Sequence, residues 1–201
     1  MSKTYWDKIS FVYDIVMNKD KKAYEIIINK IKKSLSFKED VLEIGCGTGK
    51  TSKQIANLCN KLIVSDYSEN MIAYAKKNLS AYQNVEVRKE DVFDLSFKEN
   101  SFDFIIMINV LHIITNQEKA LKEVNRVLKK DGKLICVSYV YTDNLVGKFY
   151  QWLLGFSGCK NQYKWKENEF INILIENDFV VLEKQLIKST VDMVYVVLEK
   201  N

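Results

Sequence analysis

The sequence predicts an α/β protein built on a doubly wound, seven-stranded mixed sheet, mostly parallel, with an antiparallel strand contributed by a C-terminal hairpin and helices on both faces. Three observations lead there. From Val41 onward, short apolar runs alternate with amphipathic helical segments, the pattern of right-handed strand–helix–strand crossovers. The runs Val41-Leu42-Glu43-Ile44 and Phe104-Ile105-Ile106-Met107-Ile108 are nearly continuous in apolar residues, as strands covered on both faces are. The last two apolar runs, 179–187 and 191–198, are separated only by Lys188-Ser189-Thr190, which is too short for a crossover and suits a hairpin.

Taken in order, residues 5–16 and 20–35 read as helices ahead of the first strand. The second carries Ala23, Ile26, Ile27, Ile31 and Leu35 at three- and four-residue spacing. Lys19, Lys21, Lys22, Lys30, Lys32 and Lys33 crowd this region and read as its solvated face, with a nucleic-acid footprint as the alternative. There follow strand 41–45, helix 50–59, strand 61–66, helix 69–80, strands 85–90 and 102–109, helix 116–130 and strand 133–141. Ser68 is placed to cap the helix at 69, with Glu69 in its first turn, and Gly132 is expected to end the 116–130 helix after Lys129 and Lys130. An insertion follows Tyr141, then a helix near 167–177 and the two closing strands.

Bulk properties narrow the class. At 201 residues, 47% hydrophobic and 28% charged, the chain can bury one sizeable core but not two. It has no uncharged apolar stretch of about 18 residues and no apolar export core after Met1, so a cytoplasmic protein without a membrane span is expected. Cys46, Cys59, Cys136 and Cys159 are scattered without a C-x-x-C pair, which suggests neither a disulfide framework nor a zinc site, and no metal is predicted.

The chemistry centres on Gly45-Cys46-Gly47-Thr48-Gly49, directly after one strand and before a helix. Glycines there let backbone approach a nucleotide-like ligand at the carboxyl edge of the sheet. By itself such a turn also serves steric needs alone. Its spacing, G-x-G-x-G, departs from the dinucleotide fingerprint, which would require glycine where Lys50 stands. Gly49-Lys50-Thr51 reproduces the end of a phosphate loop, but the preceding glycine falls at 45 or 47 rather than 44. A phosphate binder using Lys50 therefore stays open as an alternative. Asp66, at the end of the second strand, offers two carboxylate oxygens to a ribose diol; a turn or capping aspartate is the other reading.

Three successive segments are together specific. Val41 to Gly49, then Ser65-Asp66-Tyr67-Ser68-Glu69-Asn70-Met71, then Glu90-Asp91-Val92 resemble, in order, the signatures of class I S-adenosylmethionine-dependent methyltransferases, whose fold is Rossmann-like. The runs Ser101 to Ile105, Asn109 to His112 and Glu123 to Leu134 are also similar to that family, so the resemblance covers about 38–140. It implies that Glu43 and the backbone of Gly45, Cys46 and Gly47 hold the methionine portion of S-adenosylmethionine, and that Asp66 holds the ribose. Tyr67 and Met71 would pack on ribose and adenine, Asp91 and the Val92 amide would read the adenine edge, and Asn109 would face the methionine group. Tyr5-Trp6-Asp7 through Tyr13-Asp14 is similar to the leading helix of small-molecule members, which implies a cofactor contact for Tyr13. One domain is expected, with 1–36 as a helical lid, 38–141 as the cofactor-binding core, 142–166 as an aromatic cap and 167–201 as the closing helix and hairpin.

The implied reaction is in-line displacement at a methyl carbon activated by its own sulfonium, so the protein must chiefly align two reactants and exclude water. No catalytic triad is visible. His112, the single histidine, follows Asn109 by three residues and reads as a base or a substrate-orienting group, or as a wall residue on an apolar segment. The Asn109 run lacks the prolines of the amino methyltransferases that act on nucleic acid. Eight aromatics lie between 139 and 165, and Leu145, Phe149, Trp152, Leu153 and Phe156 share one helical face. They either pack on the core or line a pocket for a small, largely apolar acceptor, with Trp6, Tyr141, Phe149, Trp152 and His112 as candidate substrate residues. A cofactor-binding protein without methyl-transfer activity, serving regulation or assembly, is the competing function. No feature sets the oligomeric state.

Overall fold

The computed structural model describes residues 20–141 and 165–201. The expected helix at 5–16 and the cap residues 142–164 lie outside the described residues, and with them Trp6, Tyr13, Phe149 and Trp152. The elements are α1 (Lys21–Ser34), β1 (Asp40–Ile44), α2 (Lys50–Ile55), β2 (Lys61–Asp66), α3 (Glu69–Leu79), β3 (Val85–Lys89), β4 (Phe102–Ile108), α4 (Gln117–Val127), β5 (Leu128–Tyr139), α5 (Glu167–Ile175), β6 (Phe179–Ile187) and β7 (Met193–Lys200). Short 3₁₀ turns at Ala56–Leu58 and Leu111–Ile113 follow α2 and β4.

All seven strands join one sheet in the order β3-β2-β1-β4-β5-β7-β6. Strands β1 to β5 pair in parallel, while β7 runs antiparallel to both β5 and β6. The predicted mixed sheet is present, and its antiparallel strand lies one place in from the edge, so that β6 forms the rim.

Side-chain alternation sorts the sheet into two buried layers. Leu42, Ile44, Ile105, Met107, Leu134, Cys136, Val194, Val196 and Leu198 pack with α4 and α5, through Leu121, Val124, Phe170 and Leu174. Val41, Leu62, Val64, Phe104, Ile106, Ile135, Val137 and Tyr195 pack on the other face with α1, α2 and α3, through Ile27, Ile31, Ile55, Ala75 and Leu79. The apolar stripe of α1 differs from its expectation at one position: Ile26 is 42% exposed, and Tyr24 is buried in its place. This brings a phenol to the sheet from the first turn of α1. Asp20, just before the helix, accepts from the Thr190 amide at 2.9 Å and ties α1 to the β6–β7 turn.

Two helix ends and one cap are corrected. The helix expected over 50–59 stops at Ile55 and tightens into a 3₁₀ turn. The helix expected over 116–130 ends at Val127, because Leu128 already pairs with Phe102 across the sheet. Gly132 therefore does not cap a helix. It lies within β5, where the register slips between Phe102 and Phe104, and a Cβ there would come 2.8 Å from Leu128 Cδ1. The capping of α3 is as expected: the Ser68 hydroxyl accepts from the Met71 amide at 3.3 Å, with Glu69 in the first turn. Of the expected cap, Trp165 belongs to the core, stacked on Phe170 with centroids 5.5 Å apart, and its carbonyl accepts from the Tyr141 amide at 2.6 Å. No helix among the described residues is long and apolar enough to cross a membrane.

Candidate active site

β1 and β4 are neighbours in the sheet but are separated in sequence by two crossovers on the far side of β1, so their carboxyl ends form the point where the winding reverses. The glycine turn leaves β1 at this point. Gly45, Gly47 and Gly49 have φ of 70°, 55° and 79°, a region that residues with a Cβ rarely adopt. At Gly45 a second constraint applies, since a Cβ would lie 2.3 Å from Val110 Cγ2 in the loop after β4. The turn is held by backbone bonds from Cys46 to Ser65 (2.9 Å) and from Gly49 to Cys46 (3.0 Å), and by Asn78 Nδ2 on α3 donating to the Thr48 carbonyl at 2.9 Å.

Asp66 ends β2 beside this turn. Its Oδ2 accepts from the Gly47 amide and its Oδ1 from the Ser68 amide, both at 2.9 Å. One carboxylate thus fixes the glycine turn and the start of α3 at once. Each oxygen offers about two lone-pair directions, so the group is also shaped to accept from a vicinal diol. One strand over, Asp91 Oδ1 accepts from the Phe93 amide at 3.0 Å, while Oδ2 takes no donor among the described residues. The Glu90 amide donates to the Asp66 carbonyl at 3.2 Å and holds the two acidic turns together. Val92 is buried in the core layer under α4 and α5, Met71 is buried at 2% exposure in the first turn of α3, and Tyr67 is 51% exposed.

Glu43 is buried on β1, on the face that meets α2, where the Ser52 hydroxyl donates to it. Burial, reinforced by the charge of Asp66 and opposed by Ser52, raises its pKa to about 7. A buried carboxyl so poised gains from a cationic ligand, which would favour its charged form. Burial and the same two carboxylates push the Cys46 thiol well up, so it stays protonated and is no nucleophile. Glu43, Gly45, Cys46, Thr48, Lys50, Thr51, Ile108 and Tyr24 line a small cleft at this edge.

Asn109 follows β4 with φ of 57°, a left-handed conformation that asparagine tolerates better than most residues, and its amide continues the ladder to the Val137 carbonyl at 2.8 Å. The turned backbone aims its side chain toward α1. Asn109 Nδ2 donates to the Tyr24 hydroxyl at 2.7 Å, and the Tyr24 and Tyr139 hydroxyls lie 3.2 Å apart. Asn109 Oδ1 is buried without a partner. His112, in the 3₁₀ turn after Asn109, is buried with its ring edge-on to Tyr139. Burial lowers its pKa to about 4, so the imidazole is neutral near pH 7.

The sequence-predicted residues Glu43, Gly45, Cys46, Gly47, Asp66, Asp91, Val92 and Asn109 thus gather at one edge of the sheet. Tyr67 and Met71 flank it at the start of α3, Tyr67 largely open to solvent and Met71 packed in the core. Tyr141 stands at the end of β5, its amide occupied by Trp165. Sequence reasoning missed Tyr24. The available signal was a single aromatic residue among aliphatics and lysines on the amphipathic segment 20–35.

The donors and acceptors at this edge suit an adenosine bearing an amino-acid tail: a dual acceptor for a diol, a free carboxylate oxygen for an exocyclic amine, and a buried carboxyl with an unpaired amide oxygen for an ammonium group. Residues 42–136 match a family described as a methyltransferase domain. A demethylmenaquinone methyltransferase of Staphylococcus aureus is 30% identical over 145 residues, which cover 65% of this chain and 60% of the relative. The match therefore spans about three fifths of that relative's length. Among solved structures, an S-adenosylmethionine-dependent methyltransferase from Thermotoga maritima superposes with a TM-score of 0.79 over 98% of this chain and 99% of its own, at 23% identity. The [4+2]-cyclase SpnF superposes with a TM-score of 0.70 over 96% of this chain and 80% of its own, at 14% identity. At such identities these structures speak for the fold, which by name serves both a methyltransferase and a cyclase.

Proposed function

Since residues 42–136 are a methyltransferase domain of the class I, S-adenosylmethionine-dependent type, we propose that the chain transfers a methyl group from S-adenosylmethionine to a small, largely apolar acceptor by in-line displacement. The observation that carries this reading is the double engagement of Asp66, which sets the glycine turn and the start of α3 through the Gly47 and Ser68 amides and so fixes a two-oxygen acceptor at the end of β2.

In this reading Asp66 binds the ribose hydroxyls, and Asp91 Oδ2 accepts from the adenine amine while the Val92 amide donates to the ring. Tyr67 and Met71 border the adenosine. Glu43 and Asn109 Oδ1, with the backbone of Gly45, Cys46 and Gly47, receive the methionine end, and the positive charge there draws the proton off Glu43. When bound, the cofactor supplies a methyl group already activated by a sulfonium, so the chain's own task is alignment and exclusion of water. Tyr24 orients Asn109 by accepting from its Nδ2. The sequence pattern alone assigns Tyr13 to the cofactor, Trp6, Tyr141, Phe149 and Trp152 to the acceptor, and the lid and cap roles to 1–36 and 142–166.

Calorimetric titration of the full chain with S-adenosylmethionine and with S-adenosylhomocysteine tests the reading. Both are expected to bind at one site, and failure of both would refute it. Saturable binding with no methyl release across small phenols, amines and thiols would instead favour a regulatory cofactor-binding protein.

A further inference from the structure

The polar chain behind Asn109 extends past the part of the site assigned to the cofactor. From Asn109 Nδ2 it runs through the Tyr24 hydroxyl (2.7 Å) to the Tyr139 hydroxyl (3.2 Å), and the Tyr139 ring meets the His112 ring with centroids 5.5 Å apart. It ends on an unused nitrogen. His112 Nδ1 is buried and has no hydrogen-bond partner, and the residue as a whole is only 7% exposed. A buried nitrogen left in this state costs about 1–3 kcal/mol, so native structures keep few of them, and one beside a cofactor site is a candidate for contact with a bound molecule. Burial alone lowers the pKa of the ring, whereas that of the neighbouring Tyr139 hydroxyl is raised by burial and also by the charge of the Asp20 carboxylate.

We propose that His112 Nδ1 and the Tyr139–Tyr24 hydroxyl pair hold the methyl acceptor, and that the group they hold is an uncharged hydroxyl on an apolar frame. This assignment rests on the methyl-transfer reading above and names the chemistry of its acceptor. A hydroxyl both donates and accepts, so it satisfies Nδ1 in either tautomer of the imidazole, which an ether or a carbonyl cannot do. A carboxylate is disfavoured, because an anion brought between the buried His112 ring and Tyr139 is desolvated and repelled by the Asp20 carboxylate. The apolar frame follows from the neighbours: Val110 and Leu111 precede His112, Val140 follows Tyr139, and all three are buried in one cluster. Geometry fixes the other end of the chain. Tyr24 is set by the register of α1 and Asn109 by its left-handed backbone, so a hydroxyl seated at His112 is held one relay away from the group assigned to the cofactor's methionine end.

The chain has a single histidine, so isotope-labelled histidine gives one imidazole to follow by nitrogen NMR. The full chain loaded with S-adenosylhomocysteine is titrated with phenol and with anisole, a pair that differs by the hydroxyl proton and is small enough that shape does not decide the result. The expected result is that phenol moves the Nδ1 resonance, anisole does not, and phenol binds about ten-fold more tightly, equivalent to about 1.4 kcal/mol. His112→Leu should erase that preference without weakening S-adenosylhomocysteine binding, and His112→Gln, which keeps a neutral donor and acceptor, should restore part of it. An unmoved Nδ1 at the solubility limit of phenol, equal affinity for anisole, or a preference that survives His112→Leu overturns the assignment. Cofactor binding is read separately: its loss in the unsubstituted chain refutes the methyl-transfer reading, whereas intact cofactor binding with no phenol preference refutes only the acceptor.

Discussion

Replacing Asp66 with alanine is expected to cripple cofactor binding more than any other single change at the sheet edge. The carboxylate already accepts from Gly47 and Ser68 at 2.9 Å each, and in the proposed complex the same two oxygens receive the ribose hydroxyls. Losing two charge-assisted hydrogen bonds to ribose hydroxyls, at about 1.5 to 3 kcal/mol each, amounts to about 3 to 6 kcal/mol of binding free energy. That corresponds to a rise in Kd of about two to four orders of magnitude. The glycine turn and the α3 start lose their shared anchor as well, so the fold should also weaken, by about 1 to 3 kcal/mol for the amides left unpaired. Titration calorimetry with S-adenosylhomocysteine measures the first effect and urea unfolding of the apoprotein the second. Asp66→Asn is the finer probe: it keeps the shape but turns an amide donor toward either the Gly47 or the Ser68 N–H, so it should behave more like alanine than like aspartate. Lys50→Ala serves as the control, with a change of less than about three-fold expected if the site takes adenosine rather than a phosphate. Were Asp66→Ala to bind within three-fold of the original while Lys50→Ala lost binding, the ligand would be a phosphate and the reasoning from Asp66 would be wrong.

Gly45→Ala combines a positive φ with a Cβ 2.3 Å from Val110 Cγ2, and should destabilise the fold by about 2 to 5 kcal/mol from left-handed strain plus overpacking. Adding Val110→Ala should recover the steric share alone, and a double variant no more stable than Gly45→Ala would contradict the contact. Glu43 and His112 should tilt the pH dependence of stability in opposite directions. In the folded chain Glu43 keeps its proton up to about pH 7 against an ordinary value of 4.5, so the unfolded state binds fewer protons in between and stability falls as pH rises across that window. His112 protonates only near 4 in the folded chain against an ordinary 6.5, so the unfolded state binds more protons there and stability rises with pH. Denaturation at a series of pH values should therefore show a steeper rise for Glu43→Gln and a steeper fall for His112→Gln than for the parent; three parallel curves would disprove both assignments. Tyr24→Phe removes the oxygen acceptor of Asn109 Nδ2, leaving it only the weak Met193 sulfur at 3.7 Å, and should cost about 1 to 3 kcal/mol, visible as a lower Tm, together with weaker cofactor binding. An unchanged Tm would mean that Asn109 finds another partner.

The parts of the fold that periodicity governs were legible. Continuous apolar runs located β1 and β4, and the short polar gap after Ile187 located the antiparallel β7, because strands buried on both faces and hairpins leave local marks. Gly132 was misread because a glycine after two lysines is also the mark of a helix end, and the pairing of Leu128 with Phe102 that cuts α4 short is a long-range event. Tyr24 was missed for a similar reason: residues 20–35 show which side of a helix is apolar, but not which turn of it reaches the carboxyl edge of the sheet. At the site, the cofactor side was readable because Gly45, Asp66 and Asp91 stand at or just past the end of successive strands, at a set spacing. The unpaired atoms of Asn109 and His112 were not, because satisfaction of a polar group depends on neighbours as distant in sequence as Tyr24 and Tyr139.

The place of β7 bears on the order in which the molecule can be assembled. β6 leaves the ribosome first, yet among the described residues β7 is its only strand partner, and β7 in turn covers β5 from Lys133 to Tyr139. Until Met193–Lys200 have been synthesised, a nascent chain holds β1 to β5 with an open flank at Leu134, Ile135, Cys136 and Val137, and carries β6 with nowhere to dock. The gap must then be filled from the sequence's far side in one step that seats two strands together, the kind of late, long-range pairing that leaves an apolar edge exposed to other chains while it waits. Shortening the chain before Met193 would remove an interior stave rather than trim the rim.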